Sequence, residues 1–292
     1  MYCYQCEQRS AEGCHFEVGI CGKTDRTAVL QDVLVYVTEG VSSYAHLLRG
    51  LGVTKSEYNI FTLEGLFTTV TNVNFDEDKV MDMIRKGSEL LAMAASDYKN
   101  ACNAKGVAPE KLSGPAAFEF VEDKEDLINF GRTLSIEFRK AKNGADITGI
   151  EELIMYGLKG LAAYAEHAQL LDYTDESVFA DIQSVLHALT KSNSAEELLG
   201  LALKTGEINF RVMELLDRAH TTTFGHPTPA KVRTTPVKGK AILVSGHDLK
   251  DMIELLKQTE DKGINVYTHS EMLPAHGYPE LKKFKHLVGN FA

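Results

Sequence analysis

The sequence predicts an α plus α/β protein, with duplicated helical bundles first and the start of a parallel, Rossmann-like α/β domain after them. Three observations carry that expectation. Residues 24 to about 220 keep a helical apolar period almost throughout. Residues 30–46 (LQDVLVYVTEGVSSYAH) align without gaps to residues 150–166 (IEELIMYGLKGLAAYAE), so a helical unit is repeated. Beyond residue 240 the period shortens to strand-like apolar runs flanking one amphipathic helix.

Taken in order, the segment from Thr27 to Leu51 sets Leu30, Val33, Leu34, Val37, Val41, Tyr44, Leu47 and Leu48 at helical spacing, with Gly50 and Gly52 able to end it. Asn74 or Asp76 can cap a second long helix that carries Val80, Met81, Ile84, Leu90 and Leu91 and stops at Gly106. Thr148 followed by Glu151, and Ser194 followed by Glu197, are capping-box patterns in front of apolar pairs. In the repeat, Tyr36, Gly40, Tyr44 and Ala45 match Tyr156, Gly160, Tyr164 and Ala165. A mid-helix glycine costs about 1 kcal/mol against alanine, so its recurrence suggests a close helix–helix approach. Two amphipathic helices matching by chance is the alternative.

A helical domain over 1–222, with its loop at 1–23, is therefore expected to end at a linker, 223–239, rich in Pro227, Pro229, Pro236, Gly225 and Gly239. Residues 240–292 then read as β-α-β: an apolar run 241–244, a helix 249–257, a second run 264–267 and a third candidate strand at 286–288. A parallel sheet needs cover on both faces, and so short a stretch cannot supply it. The α/β domain is expected to be incomplete, and the chain to be a fragment or one half of a split protein.

The 292 residues carry a net charge of −10, which argues against a sequence-independent grip on nucleic acid or on an anionic membrane. No run approaches a membrane span, and the polar N-terminus lacks the regions of a secretory signal. The expected location is the cytoplasm. Four of the five cysteines, Cys3, Cys6, Cys14 and Cys21, crowd into one short N-terminal stretch. Disulfides would be spread over a small secreted domain, so ligation of a soft metal is the better reading. A CxxC pair lets two thiolates reach one centre, and the longer gaps let the chain wrap around it. Gly13, Gly19 and Gly22 permit that wrapping and expose amide N–H groups to cluster sulfurs. An iron–sulfur cluster leads; a zinc site completed by His15, or inert or disulfide-bonded thiols, are the alternatives. Cys102, in mid-helix, reads as a small buried apolar residue.

In an open α/β sheet, ligands gather outside the carboxyl ends of the strands. His247 follows the first strand and Glu271 the second, so the two should face one crevice, where imidazole and carboxylate can hold a transition metal. A surface histidine with a solvated glutamate is the plain alternative, and His269, His276 and Tyr278 compete for the role.

The opening MYCYQCEQ with CGK at 21–23 and LQD at 30–32 resembles the hybrid cluster protein family, also called prismane proteins or hydroxylamine reductases. So do LFTTVTNVNFDED at 66–78, LVSGHDLKD at 243–251 and SEMLPAHGYPELKK at 270–283. The resemblance implies a pair of helical bundles holding a [4Fe–4S] cubane through Cys3, Cys6, Cys14 and Cys21, the third of these standing one position earlier than the family's usual pattern. It further implies that His247 and Glu271 are ligands of a hybrid iron–sulfur–oxygen cluster whose other ligands, four cysteines and a second glutamate, lie in the family's C-terminal half. The implied activity is reduction of hydroxylamine to ammonia, with nitric oxide as a second substrate, by electrons from a redox donor. A separate C-terminal half is an expected partner, and a cluster-carrying electron-transfer module inactive without that half is the rival expectation.

Overall fold

The computed structural model describes residues 2–6, 13–15, 17–70, 73–191 and 194–291. It is mostly helical with one small parallel sheet, and the chain divides into two compact units: Met1–Glu166 with Asp175–Val212, and His167–Thr174 with Met213–Ala292.

The first unit is built on the helices α1 (Asp25–Gly50), α2 (Ser56–Phe67), α3 (Glu77–Lys105), α4 (Lys124–Arg132), α5 (Ile136–Asn143), α6 (Ala145–Gln169), α7 (Glu176–Leu189) and α8 (Ala195–Phe224), of which α6 and α8 also give residues to the second unit. Their ends follow local chemistry. The Thr24 hydroxyl accepts from the Thr27 N–H at 3.1 Å to start α1. Asp76 accepts from the N–H groups of Asp78 and Lys79 to start α3, and Gly106, at φ +68°, stops it. Ser194 and Glu197 exchange hydrogen bonds, a complete capping box, in front of α8. The other proposed box is not used. Gly144, at φ +86°, ends α5, α6 starts at once at Ala145, and Thr148 lies buried inside the helix.

Two apolar cores fill this unit. One gathers Leu30, Leu34, Val37 and Val41 of α1 with Phe61, Ile84, Leu91 and Leu127; the other gathers Leu63 and Leu66 of α2 with Ile154, Leu158, Ile182, Leu186 and Val212. Cys102 is buried in the first core, as expected of a small apolar side chain.

The mid-helix glycines behave differently from the expectation. A Cβ on Gly40 would run into the Pro115 carbonyl, in the 3-10 turn Gly114–Ala117, and would stand 3.1 Å from Leu91 of α3, so the tightest approach is to that turn and the next is to a helix. A Cβ on Gly160 would meet nothing within 4 Å among the described residues. Close packing therefore does not explain the recurrence.

In the second unit, β1 (Lys240–Ser245), β2 (Ile264–His269) and β3 (Leu287–Phe291) form a parallel sheet in the order β1-β2-β3. The crossover from β1 to β2 is α9 (Leu249–Thr259), capped by Asp248; the crossover from β2 to β3 runs through a 3-10 segment, Ser270–Gly277, and α10 (Pro279–Lys282). Ala168, Leu171, Leu215, Ala219 and Phe224 share one core with Met252, Leu256, Val266 and Leu281, which joins the ends of α6 and α8 to the sheet region. β1 has no buried residue, and Leu243 is more than half exposed.

Candidate metal centres

The N-terminal loop is shaped by two short turns. Cys3 and Cys14 form an antiparallel bridge, exchanging both backbone hydrogen bonds at 3.1 and 2.8 Å. A hydrogen-bonded pair of that kind sends both side chains to the same face, so the two thiols share a side. Gly13 makes the tight return possible: its φ is +94°, and a Cβ there would stand 3.1 Å from the Cys3 carbonyl oxygen. The second turn bridges Val18 to Thr24, closes through Gly19 N–H to Lys23 O at 2.8 Å, and carries Cys21 near its tip, where Gly22 adopts φ +89°.

All four cysteines are free thiols; Cys14 is buried, and Cys3, Cys6 and Cys21 are half-buried. The loop is anchored to α6. The Tyr4 hydroxyl donates to the Glu152 carboxylate at 2.8 Å, and the Tyr156 hydroxyl donates to the Gln5 carbonyl at 3.1 Å. Burial and the Glu152 carboxylate push the Tyr4 phenol up, so it stays a donor. His15 packs its ring on Tyr2, with centroids 4.9 Å apart.

The structure thus brings Cys3 and Cys14 together but does not draw Cys6 and Cys21 in beside them. Among the described residues, no group of three or more His, Cys, Asp or Glu is placed to hold a metal ion. The span between Cys6 and Cys14, where the ligand spacing departs from the family's usual one, falls on residues 7–12, outside the described residues. The donor set fits a cluster in kind: four unpaired soft thiols, two on one face, in a loop turned by glycines.

The second candidate is assembled by strand pairing. Ser245 and His269 are register partners at the carboxyl ends of β1 and β2, so residues two further on lie side by side. His247 Nε2 and Glu271 Oε2 are in direct contact, with both side chains more than half exposed. Two backbone features aim them: Gly246 at φ +134°, and Ser270 at φ +47°, a left-handed conformation that a serine rarely adopts. The competing residues are engaged elsewhere. His269 Nδ1 meets the Ser245 hydroxyl at 3.0 Å, buried His276 meets the Thr268 hydroxyl at 2.9 Å, and Tyr278 packs against Phe224 and His220.

A sequence profile of the prismane/CO dehydrogenase family matches residues 1–292. The chain belongs to that family. Its relatives within it include proteins named hydroxylamine reductase. That of Rhodospirillum rubrum is 48% identical over 292 residues, covering 100% of this chain and 53% of its own length. That of Acidithiobacillus ferrooxidans is 43% identical over 295 residues, covering 99% of this chain and 53% of its own. The chain spans about half the length of the curated relatives it matches. A solved carbon monoxide dehydrogenase IV from Carboxydothermus hydrogenoformans aligns at 17% identity over 92% of this chain and 39% of its own, with a TM-score of 0.28, too distant to add to the fold.

For this family member, sequence reasoning finds one of the parts that position the strand-end pair, Asp248 as a helix cap, and misses the other. Asp248 caps α9 through the Lys250 N–H at 2.7 Å and lies 3.7 Å from His167 Nδ1, fixing the turn that carries His247. The burial of Asp248 is offset by His167 and these N–H groups, which hold its carboxyl below the usual range. Asp248 was legible as a cap; its histidine neighbour, eighty-odd residues away in the chain, was not. No described helix is long and apolar enough to cross a membrane.

Proposed function

We propose that this chain is part of an iron–sulfur redox enzyme of the hydroxylamine reductase type, working in the cytoplasm. The observation that carries the reading is the meeting of His247 and Glu271 at the carboxyl ends of two parallel strands, in a chain whose whole length matches the family. Cys3, Cys6, Cys14 and Cys21 would hold a [4Fe–4S] cluster, and His247 and Glu271 would give one nitrogen and one oxygen ligand to a hybrid iron–sulfur–oxygen cluster. When bound, such a centre offers an iron that serves as Lewis acid and electron donor to an N–O bond.

The residues of this chain do the holding. Hydroxylamine takes up two electrons and two protons to give ammonia and water, so the site must keep a donor path and a proton source near one open position. Glu271 sits on an exposed 3-10 turn, where its carboxylate can swing to or from His247 without disturbing the core. The Ser245–His269 contact beside it stiffens the strand ends.

A second reading is favoured by coverage: with about half the relatives' length, and only two strand-end donors, the chain acts as a cluster-carrying electron-transfer module that needs a separate C-terminal half. Hydroxylamine consumption by the purified 292-residue chain, with and without that half, separates the two readings. In the intact protein, Glu271→Ala is expected to lower turnover at least tenfold and alter the cluster spectrum. Normal turnover with an unchanged spectrum would end the assignment of Glu271.

A further inference from the structure

The first unit carries an open cavity of about 650 Å³ that none of the four N-terminal cysteines lines. The two matching helices face it with equivalent positions. Asp32, Val35 and Glu39 of α1 and Glu152, Met155 and Lys159 of α6 occupy the same places in the repeat, and all six line the cavity. The exposed helix α5, which buries no residue of its own, closes one side.

The charges inside are unevenly matched. Arg139 of α5 is committed to Glu151 at 3.5 Å and to Glu152. The carboxylates of Asp32 and Glu39 have neither a hydrogen bond nor an ion pair with any described residue, and neither has the Lys159 ammonium. Fully ionised, four carboxylates would oppose two cations, Arg139 and Lys159; Lys142 and Lys191 also border the cavity, but their side chains are exposed and screened by water. Asp32 and Glu39 stand seven residues apart on one face of α1, about 10 Å along the helix axis at 1.5 Å per residue.

Asp32 and Glu39 are part-buried in the wall of this cavity, and a carboxylate drawn partly out of water without a partner tends to take up a proton unless a cation reaches it. A volume of this size is that of a small-molecule site rather than of a packing defect.

We propose that this cavity binds a linear organic dication, one with two ammonium or guanidinium groups several ångströms apart that engage Asp32 and Glu39. An α,ω-diamine and a basic amino acid both have that chemistry; in the second, the additional carboxylate would meet Lys159. This goes beyond the redox reading and does not depend on it.

Burial pushes the Asp32 carboxyl up to about 7 and that of Glu39 up to about 8; Lys159 and Arg139 pull both down, and Glu152 pushes both up, with Glu151 adding to the rise at Glu39. Near neutral pH the empty cavity therefore holds protons that an arriving dication would expel.

The test is calorimetric titration of the 292-residue chain, prepared anaerobically, with cadaverine, L-lysine, methylammonium and potassium, each in two buffers of different ionisation enthalpy at pH 7. Saturable binding of cadaverine or L-lysine with proton release is expected, with methylammonium and potassium at least tenfold weaker; which dication binds more tightly identifies the source. Asp32→Asn and Glu39→Gln, near-isosteric changes, should each weaken binding at least tenfold. Absence of dication binding at millimolar concentration, binding without proton release, or equal binding of methylammonium would overturn the proposal, as would affinity unchanged in the double variant. The proton count is read on the unaltered chain, so it stands even if a variant misfolds.

Discussion

Helices α1 and α6 carry the same residue pattern and meet different surroundings. In α1 the outward stripe is covered: Tyr36 packs edge-on against Phe118 and Phe130, Tyr44 packs against Tyr98, and Gly40 takes the Pro115 carbonyl oxygen. In α6 the matching stripe is more open: Tyr156 holds the N-terminal loop yet is 47% exposed, Tyr164 is 40% exposed, and a Cβ on Gly160 would meet no described residue within 4 Å. The inward face is alike in both, with Leu34 and Ile154 at matching positions and essentially no exposure. A repeated pattern thus fixes which side of a helix is buried in both copies, but not what covers the other side.

The largest expected effects test the shared face. Leu34→Ala and Ile154→Ala should each cost about 2–5 kcal/mol in chemical denaturation, because each leaves a cavity in a closed core. A cost below about 1 kcal/mol at either position would break the equivalence. Gly40→Ala comes next: its methyl group meets backbone, which must shift, so a loss of about 1–3 kcal/mol is expected from the same measurement. Gly160→Ala is the matched control and should gain about 0.5–1 kcal/mol, since an exposed helical glycine only costs entropy. Equal losses at Gly40 and Gly160 would mean that both stripes are covered. Leu153→Ala, on the open stripe of α6, should change stability by less than about 0.5 kcal/mol.

The charged faces of the same helices predict a pH dependence. Asp32 and Glu39 bind protons more tightly folded than unfolded, so their contribution to stability is full below pH 4 and is lost as pH rises through about 7 and 8. His187 works the other way: burial lowers it to about 4, so its contribution is present above its ordinary value and is lost as pH falls from there towards 4. Denaturant midpoints measured from pH 5 to 9 should fall up to about pH 8 and level off above it, most steeply between the ordinary histidine value and pH 7 where His187 no longer opposes the fall, and Asp32→Asn with Glu39→Gln should flatten it. An unchanged profile in the double variant would remove the two carboxyls from the account.

The legible parts of the fold were those set by neighbours in the chain. Asp76, Gly106 and the Ser194–Glu197 box act within four residues, and parallel pairing is enough to bring the chain positions of His247 and Glu271 side by side. Thr148 and Glu151 look like a cap as well, but the left-handed Gly144 just before them starts the helix earlier, and a local pattern cannot report which of two starts wins. The cavity was not legible at all. Asp32 and Glu39 read as ordinary polar positions until the packing sets Lys159, Arg139 and Glu152 across from them. The cysteine spacing announced a soft-metal loop, and the Cys3–Cys14 bridge supplies the geometry of two of the four thiols.

The most direct test of the redox reading is the iron and acid-labile sulfide content of the chain prepared without oxygen. Four irons and four sulfides per chain, lost together with the visible absorption when Cys14 is replaced by serine, are the predicted result. A colourless, iron-free protein that binds zinc, or one whose N-terminal thiols are paired as disulfides, would contradict it.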